Sequence, residues 1–385
     1  MGNVASMIQE IPAFTIPTIT NSSDKKIDYQ YDQLSNTVYK VYYQAGKSDQ
    51  FYMKYAYDAD NRLKNVMTSS DSIIWDKDAD YFYYPHGPVY RTELGKDKVQ
   101  GIDYVYTLQG WLKEENGVST NPLRDPGDDG NVLTAINKTV GRDAVGFALD
   151  YNKYDYSSFM SMSPELLFEP IIQASPAAYD YNMENPLYNG NIRGMITMIK
   201  PFYLNNSSTG SPVAQMFVYD QLNRLKESNS HWGYNNATNA WNSGTLQTDY
   251  KMQLSYYGDG NIHTLARSKQ LENGTNLMDN LSYTYYDQTN RLKRINDEVT
   301  TSYPLDLENQ TATSNYIYYN DGNLKADLSE SMTTSNPIRW NVYNKMTELY
   351  KGGLYRSFNY DAGGNRIFKS NGNTITIMGS FIPIS

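Results

Sequence analysis

The densest group of potential oxygen ligands in this 385-residue sequence is the run RDPGDDGN, which gathers Asp125, Asp128, Asp129 and Asn131 around glycines. Carboxylate and amide oxygens at such spacing are the donor set of Ca²⁺. The run lacks the EF-hand spacing and its terminal Glu, and Asp-Gly runs form solvated turns, so no metal centre is expected from it. The three histidines, His86, His231 and His263, are scattered, and His86 sits in PHGP as a turn residue. No cysteine is present, which excludes disulfides and thiolate metal sites. No G-x-S-x-G, H-E-x-x-H or phosphate-binding glycine loop occurs, so neither an enzyme nor a cofactor is expected. The remaining chemistry is aromatic. HWGYNNATNAWN concentrates Trp232, Tyr234 and Trp241 among four asparagines. Rings that stack on sugar C–H faces, beside amides that meet hydroxyls, would make a glycan site. The competing reading is strand aromatics packing on a neighbouring unit.

An internal repeat must position these residues. Nine times Gly or Asn follows Tyr or Trp by four positions: Tyr57 with Asn61, Tyr83 with Gly87, Tyr106 with Gly110, Tyr219 with Asn223, Tyr256 with Gly260, Tyr286 with Asn290, Tyr318 with Gly322, Trp340 with Asn344 and Tyr360 with Gly364. In eight copies an aliphatic residue or Met comes two positions later, at Leu63, Val89, Leu112, Leu225, Ile262, Leu292, Leu324 and Met346. Four copies begin Tyr-Asp, and Asp favours the first position of a type I turn. Gly and Asn tolerate the left-handed conformation that follows such a turn in a three-residue hairpin loop with a bulge. The flanks alternate with period two, as in Phe51, Met53, Tyr55 and Tyr57. Each unit therefore reads as strand, tight turn, strand, and the fold class as all-β.

Composition agrees. The chain carries 37 Tyr against 11 Phe and 5 Trp, and Tyr suits strands because its ring packs while its hydroxyl meets a polar partner. A net charge of −9 argues against a nucleic-acid partner, which needs clustered cations, and no stretch is long and apolar enough to span a bilayer. The expected organisation is a repeat segment over 1–112, an irregular Pro-containing insertion over 113–218 with a YNGNI-type stretch, a second repeat segment over 219–370 and a tail over 371–385. Within the insertion, 131–137 and 164–174 read as short helices or irregular cover. Tyr31-Asp32 begins a degenerate copy with Ser35 where Gly or Asn is expected, and Gly2-Asn3-Val4 reads as the second half of a further copy. These ends suggest an internal slice of a longer polypeptide.

The units resemble the YD repeats of the RHS family, especially members from Bacteroidetes-type bacteria. Tyr360 to Gly364 matches the Tyr-Asp-x-x-Gly core, and Asn replaces Gly in YDADNRLK, YDQLNRLK and YDQTNRLK. DYVYTLQGWLK, GRDAVGFALDYNKYDY and YNGNIRGM are similar to the same branch. The resemblance implies a long sheet of hairpins spiralling into a hollow shell. It also implies an extracellular or cell-surface location, with the rest of the polypeptide and an enclosed C-terminal effector such as a toxin as partners. The Asp-Pro autoproteolytic segment of that family is not recognisable around Asp125-Pro126, so no protease role is carried over. Two functions follow as expectations: a non-catalytic wall of an effector-bearing shell, or an adhesion module that binds glycan or protein through exposed Tyr and Trp.

Overall fold

The structure is a computed structural model that describes residues 3–10, 24–119, 124–131, 137–152, 189–199, 212–235, 240–241, 246–272, 275–299, 307, 310, 312–361, 363–372 and 374–377. It is all-β and antiparallel, and its sheets are not closed into a barrel. Among the described residues no helix is long and apolar enough to cross a membrane.

The chain divides into two compact units, one formed by Met1–Phe217 with His231–Leu246, the other by Val218–Ser230 with Gln247–Ser385. In the first unit twelve strands follow in order. They are β1 (Ser6–Glu10), β2 (Asp24–Tyr31), β3 (Val38–Tyr43), β4 (Phe51–Tyr57), β5 (Leu63–Ser69), β6 (Asp76–Tyr83), β7 (Val89–Leu94), β8 (Gln100–Tyr106), β9 (Leu112–Glu115), β10 (Val145–Asp150), β11 (Gly194–Ile199) and β12 (Val213–Tyr219). Each pairs antiparallel with the next. The stretch from 113 to 218, expected to be irregular, thus contributes most of β9 and all of β10 and β11 to the same ladder. A small separate pair, β14 (Tyr234–Asn235) with β15 (Ala240–Trp241), follows β13 (Leu225–His231).

In the second unit β13 neighbours β16 (Leu246–Tyr256), and the ladder continues through β17 (Ile262–Glu272), β18 (Thr275–Tyr285) and β19 (Leu292–Asp297). The hairpin of β20 (Tyr316–Tyr318) and β21 (Leu324–Asp327) comes next. A five-stranded sheet closes the unit, formed by β22 (Arg339–Trp340), β23 (Met346–Lys351), β24 (Leu354–Tyr360), β25 (Arg366–Asn371) and β26 (Thr374–Ile377).

Period-two alternation decides which side chains are buried. In β8 the buried positions are Gly101, Asp103 and Val105, while Ile102, Tyr104 and Tyr106 stay half-buried. In β10, Gly146, Ala148 and Asp150 are buried. The tyrosine face is therefore not the deepest part of the first unit. The opposite face is buried more completely, and it carries charge.

Candidate functional site

The repeat turns have one geometry. At Asp58 the backbone N–H donates to Arg62 O at 2.9 Å, and Asn61 N–H donates to Asp58 O at 3.1 Å. The same two bonds recur at Tyr84, Thr107, Asp220, Tyr257, Tyr319, Asn341 and Asp361. Asn61, Gly87, Gly110, Asn223, Gly260, Gly322, Asn344 and Gly364 all have positive φ. The register shifts at the anchor, for example between Ala56 and Tyr57, which is the bulge that a type I turn plus left-handed residue produces. Where the residue after the anchor is Asp, its carboxylate accepts from the turn. Asp58 takes the N–H of Asp60 and Arg62 at 2.9 Å each, and Asp220 takes those of Leu222 and Arg224 at 2.8 and 3.0 Å. Backbone hydrogen bonds from Arg62 and Arg224 are the main reason that these carboxyls lie below the usual carboxylate range.

The anchor side chains explain why the repeat needs Tyr rather than Phe. Five of them, Tyr57, Tyr83, Tyr256, Trp340 and Tyr360, reach back one unit and donate to the backbone carbonyl of the residue that opens the strand after the preceding turn. Tyr57 Oη donates to Val38 O at 2.7 Å, Tyr83 to Leu63 O at 2.6 Å and Tyr256 to Leu225 O at 2.6 Å. Trp340 Nε1 donates to Leu324 O and Tyr360 Oη to Met346 O, both at 2.8 Å. Tyr31 makes a similar bond to Val4 O at 2.9 Å. Where a second Tyr follows the anchor, it reaches forward instead. Tyr84 donates to Tyr104 O at 3.1 Å, Tyr286 to Tyr316 O at 2.9 Å and Tyr319 to Ile338 O at 3.1 Å. Each receiving residue lies two positions before the next anchor.

Two copies depart from the sequence phase. Tyr286 is not the anchor of its unit and Asn290 is not the left-handed residue. Tyr285 pairs with Leu292 and donates to Ile262 O at 2.9 Å, while Gln288 takes φ 56. The loop is one residue longer, so the anchor moves to the first Tyr of the pair and the second becomes the forward donor. At Tyr31 the left-handed residue is Asn36, not Ser35, again with one extra residue before Val38. A further copy is split. Tyr151 Oη donates to Leu112 O at 2.9 Å, as an anchor does, and its ring lies 4.9 Å from that of Trp111. Gly190 (φ 85) packs against the same Trp111 and precedes Ile192, as a left-handed residue precedes its strand opener. The two halves of this turn are separated by residues 153–188, which include 164–174 and lie outside the described residues.

A buried charged box underlies the opposite face of β7 and β8. Arg91 donates from Nη1 to Asp103 Oδ2 at 2.6 Å, from Nη2 to Asp129 Oδ1 at 2.7 Å and from Nε to Glu93 Oε1 at 3.2 Å. Arg91 is 5 % exposed and Asp129 1 %. Glycines make room for it: a Cβ at Gly101 would land on the Asp129 carboxylate, and one at Gly127 on that of Asp103. Nearby, Lys113 Nζ meets Asp150 Oδ1 at 2.6 Å, and Asp143 accepts from Gln100 Nε2 at 3.0 Å and Gly117 N–H at 3.1 Å. Burial pushes the Asp103 carboxyl up to about 6 against the pull of Arg91, and raises Asp129 in the same way. Glu114, 1 % exposed, is driven well above the carboxylate range, with its Oε1 accepting from Val118 N–H at 3.2 Å.

This box is where the structure places much of RDPGDDGN. Asp129 is committed to Arg91, Asp125 Oδ1 accepts from Gly127 N–H at 2.9 Å, and Asn131 Nδ2 donates to Asp128 Oδ1 at 2.5 Å. Among the described residues no three acidic or histidine side chains are grouped to hold a metal ion. Of the aromatic trio, Trp232 is 37 % exposed, Tyr234 Oη accepts from Arg124 Nη1 at 3.3 Å, and Tyr234 lies opposite Trp241 in register. The side chain of Trp241 lies outside the described residues. His86 stacks on Tyr84 at 5.2 Å, His263 lies 4.4 Å from Tyr257, and His231 is buried, which lowers its pKa. The three histidines are not brought together.

No protein-family model matches this chain, and no curated protein matches it. Solved structures do. The pore form of the Photorhabdus luminescens Tc holotoxin, carrying a TccC3 mutation, aligns over 90 % of this chain at TM-score 0.52 and 12 % identity. A TcdB2–TccC3–TEV crystal structure aligns over 91 % of it at TM-score 0.30 and 9 % identity, too weak a superposition to add to the comparison. This chain spans 13 % of the holotoxin chain that it matches. At such identity the likeness concerns the fold alone.

Proposed function

We propose that this chain is a non-catalytic wall segment of a larger RHS-type protein, secreted or displayed at the cell surface, whose sheet encloses or presents a C-terminal effector. The observation that carries the reading is the hydroxyl ladder. At Tyr57, Tyr83, Tyr256, Trp340 and Tyr360 the polar end of the aromatic side chain donates to the backbone of the preceding unit, so residues that define the repeat serve its continuity. A repeat stabilised by nearest-neighbour bonds extends without limit of length, which suits a wall. The fold likeness to the Tc holotoxin chain supports the same reading. Its partners would be the rest of its own polypeptide and the enclosed effector. The test is the intact mass of the native product in its source cells, with both termini mapped. A much larger product that retains a cleaved C-terminal fragment noncovalently is expected. A product ending near Ser385 with no associated fragment would overturn the enclosure.

A further inference from the structure

Several tyrosine rings of the sheets have aromatic neighbours: Tyr42, Tyr84, Tyr257 and Tyr286 each face another ring between 5.3 and 6.2 Å away. Tyr350 and Tyr355 have no such neighbour among the described residues and are 38 % and 49 % exposed. They are directly opposite each other on β23 and β24, next to a tight turn made by Gly352 and Gly353, both with positive φ. Such a two-residue turn fixes the register of the strands it joins. Two positions before Tyr350 on the same face, Glu348 lies opposite Arg339 of β22, with Arg339 Nε 2.8 Å from Glu348 Oε2. With Ser335 and Asn336 from the loop before β22, these side chains line an open cavity of about 290 Å³.

We propose that this cleft is a binding site for a neutral carbohydrate. The two exposed rings offer faces for sugar C–H groups, and a site with a few converging polar groups on an aromatic floor is the usual form of a small-ligand pocket. The polar groups include a donor-rich guanidinium, an acceptor carboxylate, an amide and hydroxyls. That mixture suits vicinal hydroxyls, which both donate and accept. Arg339 and Glu348 cancel each other, and the other lining residues carry no charge, so a charged sugar gains nothing from the site. The site is independent of the wall reading, and either can fail alone.

The test is saturation-transfer NMR on the whole 385-residue chain with lactose, cellobiose, N,N′-diacetylchitobiose and, as a charged probe, sialyllactose. At least one neutral sugar at millimolar concentration is expected to receive saturation. Tyr355→Ala should weaken its binding about tenfold, a loss of about 1.4 kcal/mol, with the circular dichroism spectrum unchanged. Should Tyr355→Ala lose its fold, Arg339→Gln takes its place with the same expectation, because that side chain is 67 % exposed. Trp232→Ala should leave binding as it is. Transfer to none of the neutral sugars, transfer undiminished in the cleft variants, or preference for sialyllactose would overturn the proposal.

Discussion

The repeat turns and the charged box under β7 and β8 are both built from carboxylates and arginines, and they behave oppositely. At the turns, Asp58 and Asp220 sit at the surface, accept backbone N–H bonds and pair with Arg62 and Arg224 at 2.8 and 2.7 Å. Their ionised form is the stabilised one, so their pKa values fall. In the box, Asp103 and Asp129 pair with Arg91 at similar distances, yet desolvation outweighs the pairing and their pKa values rise. Identical partners give opposite electrostatics because one set faces water and the other does not. The turns are local and redundant. The box is non-local, and each of its charges depends on the others.

The largest effect should come from breaking the box. Arg91→Met leaves three buried carboxylates without their shared cation and is expected to cost about 3–5 kcal/mol, read by urea denaturation. Turn substitutions should cost less. Gly260→Val forces a β-branched residue into the left-handed region at a cost of about 1–3 kcal/mol, and Asn223→Val should behave alike. If either variant unfolds no more easily than the parent, the turn assignment is wrong. Removing one rung is milder still. Tyr57→Phe and Tyr285→Phe should each lose about 1 kcal/mol. Tyr343→Phe, at an exposed turn position, should lose nothing measurable, and an equal loss there would deny the ladder its specificity.

The pH dependence sharpens the comparison most. Asp58 and Asp220 have lowered folded pKa values, so their contribution is present above the unfolded value of about 3.9 and is lost as pH falls below it. Asp103 is raised to about 6, so its contribution is complete below the unfolded value and is lost as pH rises through about 6. Peptide-resolved hydrogen exchange, corrected for intrinsic rates, should show amides near Asp103 and Asp129 losing protection from about pH 4 to about pH 6 while the repeat turns stay constant. Asp103→Asn should flatten the first trend and leave the second. Loss of protection in both regions together would mean that the box does not titrate on its own.

The turns were legible in the sequence because everything they need is local: an anchor, an Asp, and a Gly or Asn whose left-handed conformation few other residues accept. The phase at Tyr285-Tyr286 was not, because two adjacent tyrosines both fit the motif and a one-residue change in loop length decides between them. Tyr151 was hidden for a different reason. Its turn partner Gly190 lies beyond a long insertion, so no short window contains both halves. The box was least legible. Asp103 alternates with aromatics in IDYVY and reads as a wet-face residue, while its partner Arg91 is on the preceding strand and Asp129 lies well beyond the strand. Gly101 and Gly127 were the available signal, since each marks a place where a charged side chain comes too close for a Cβ.

The most direct measurement is electron cryomicroscopy of the intact native product that contains this sequence. The account predicts that the stapled sheet forms part of the wall of a closed compartment, with density for further polypeptide inside. An open sheet with both faces in solvent and nothing enclosed would contradict it.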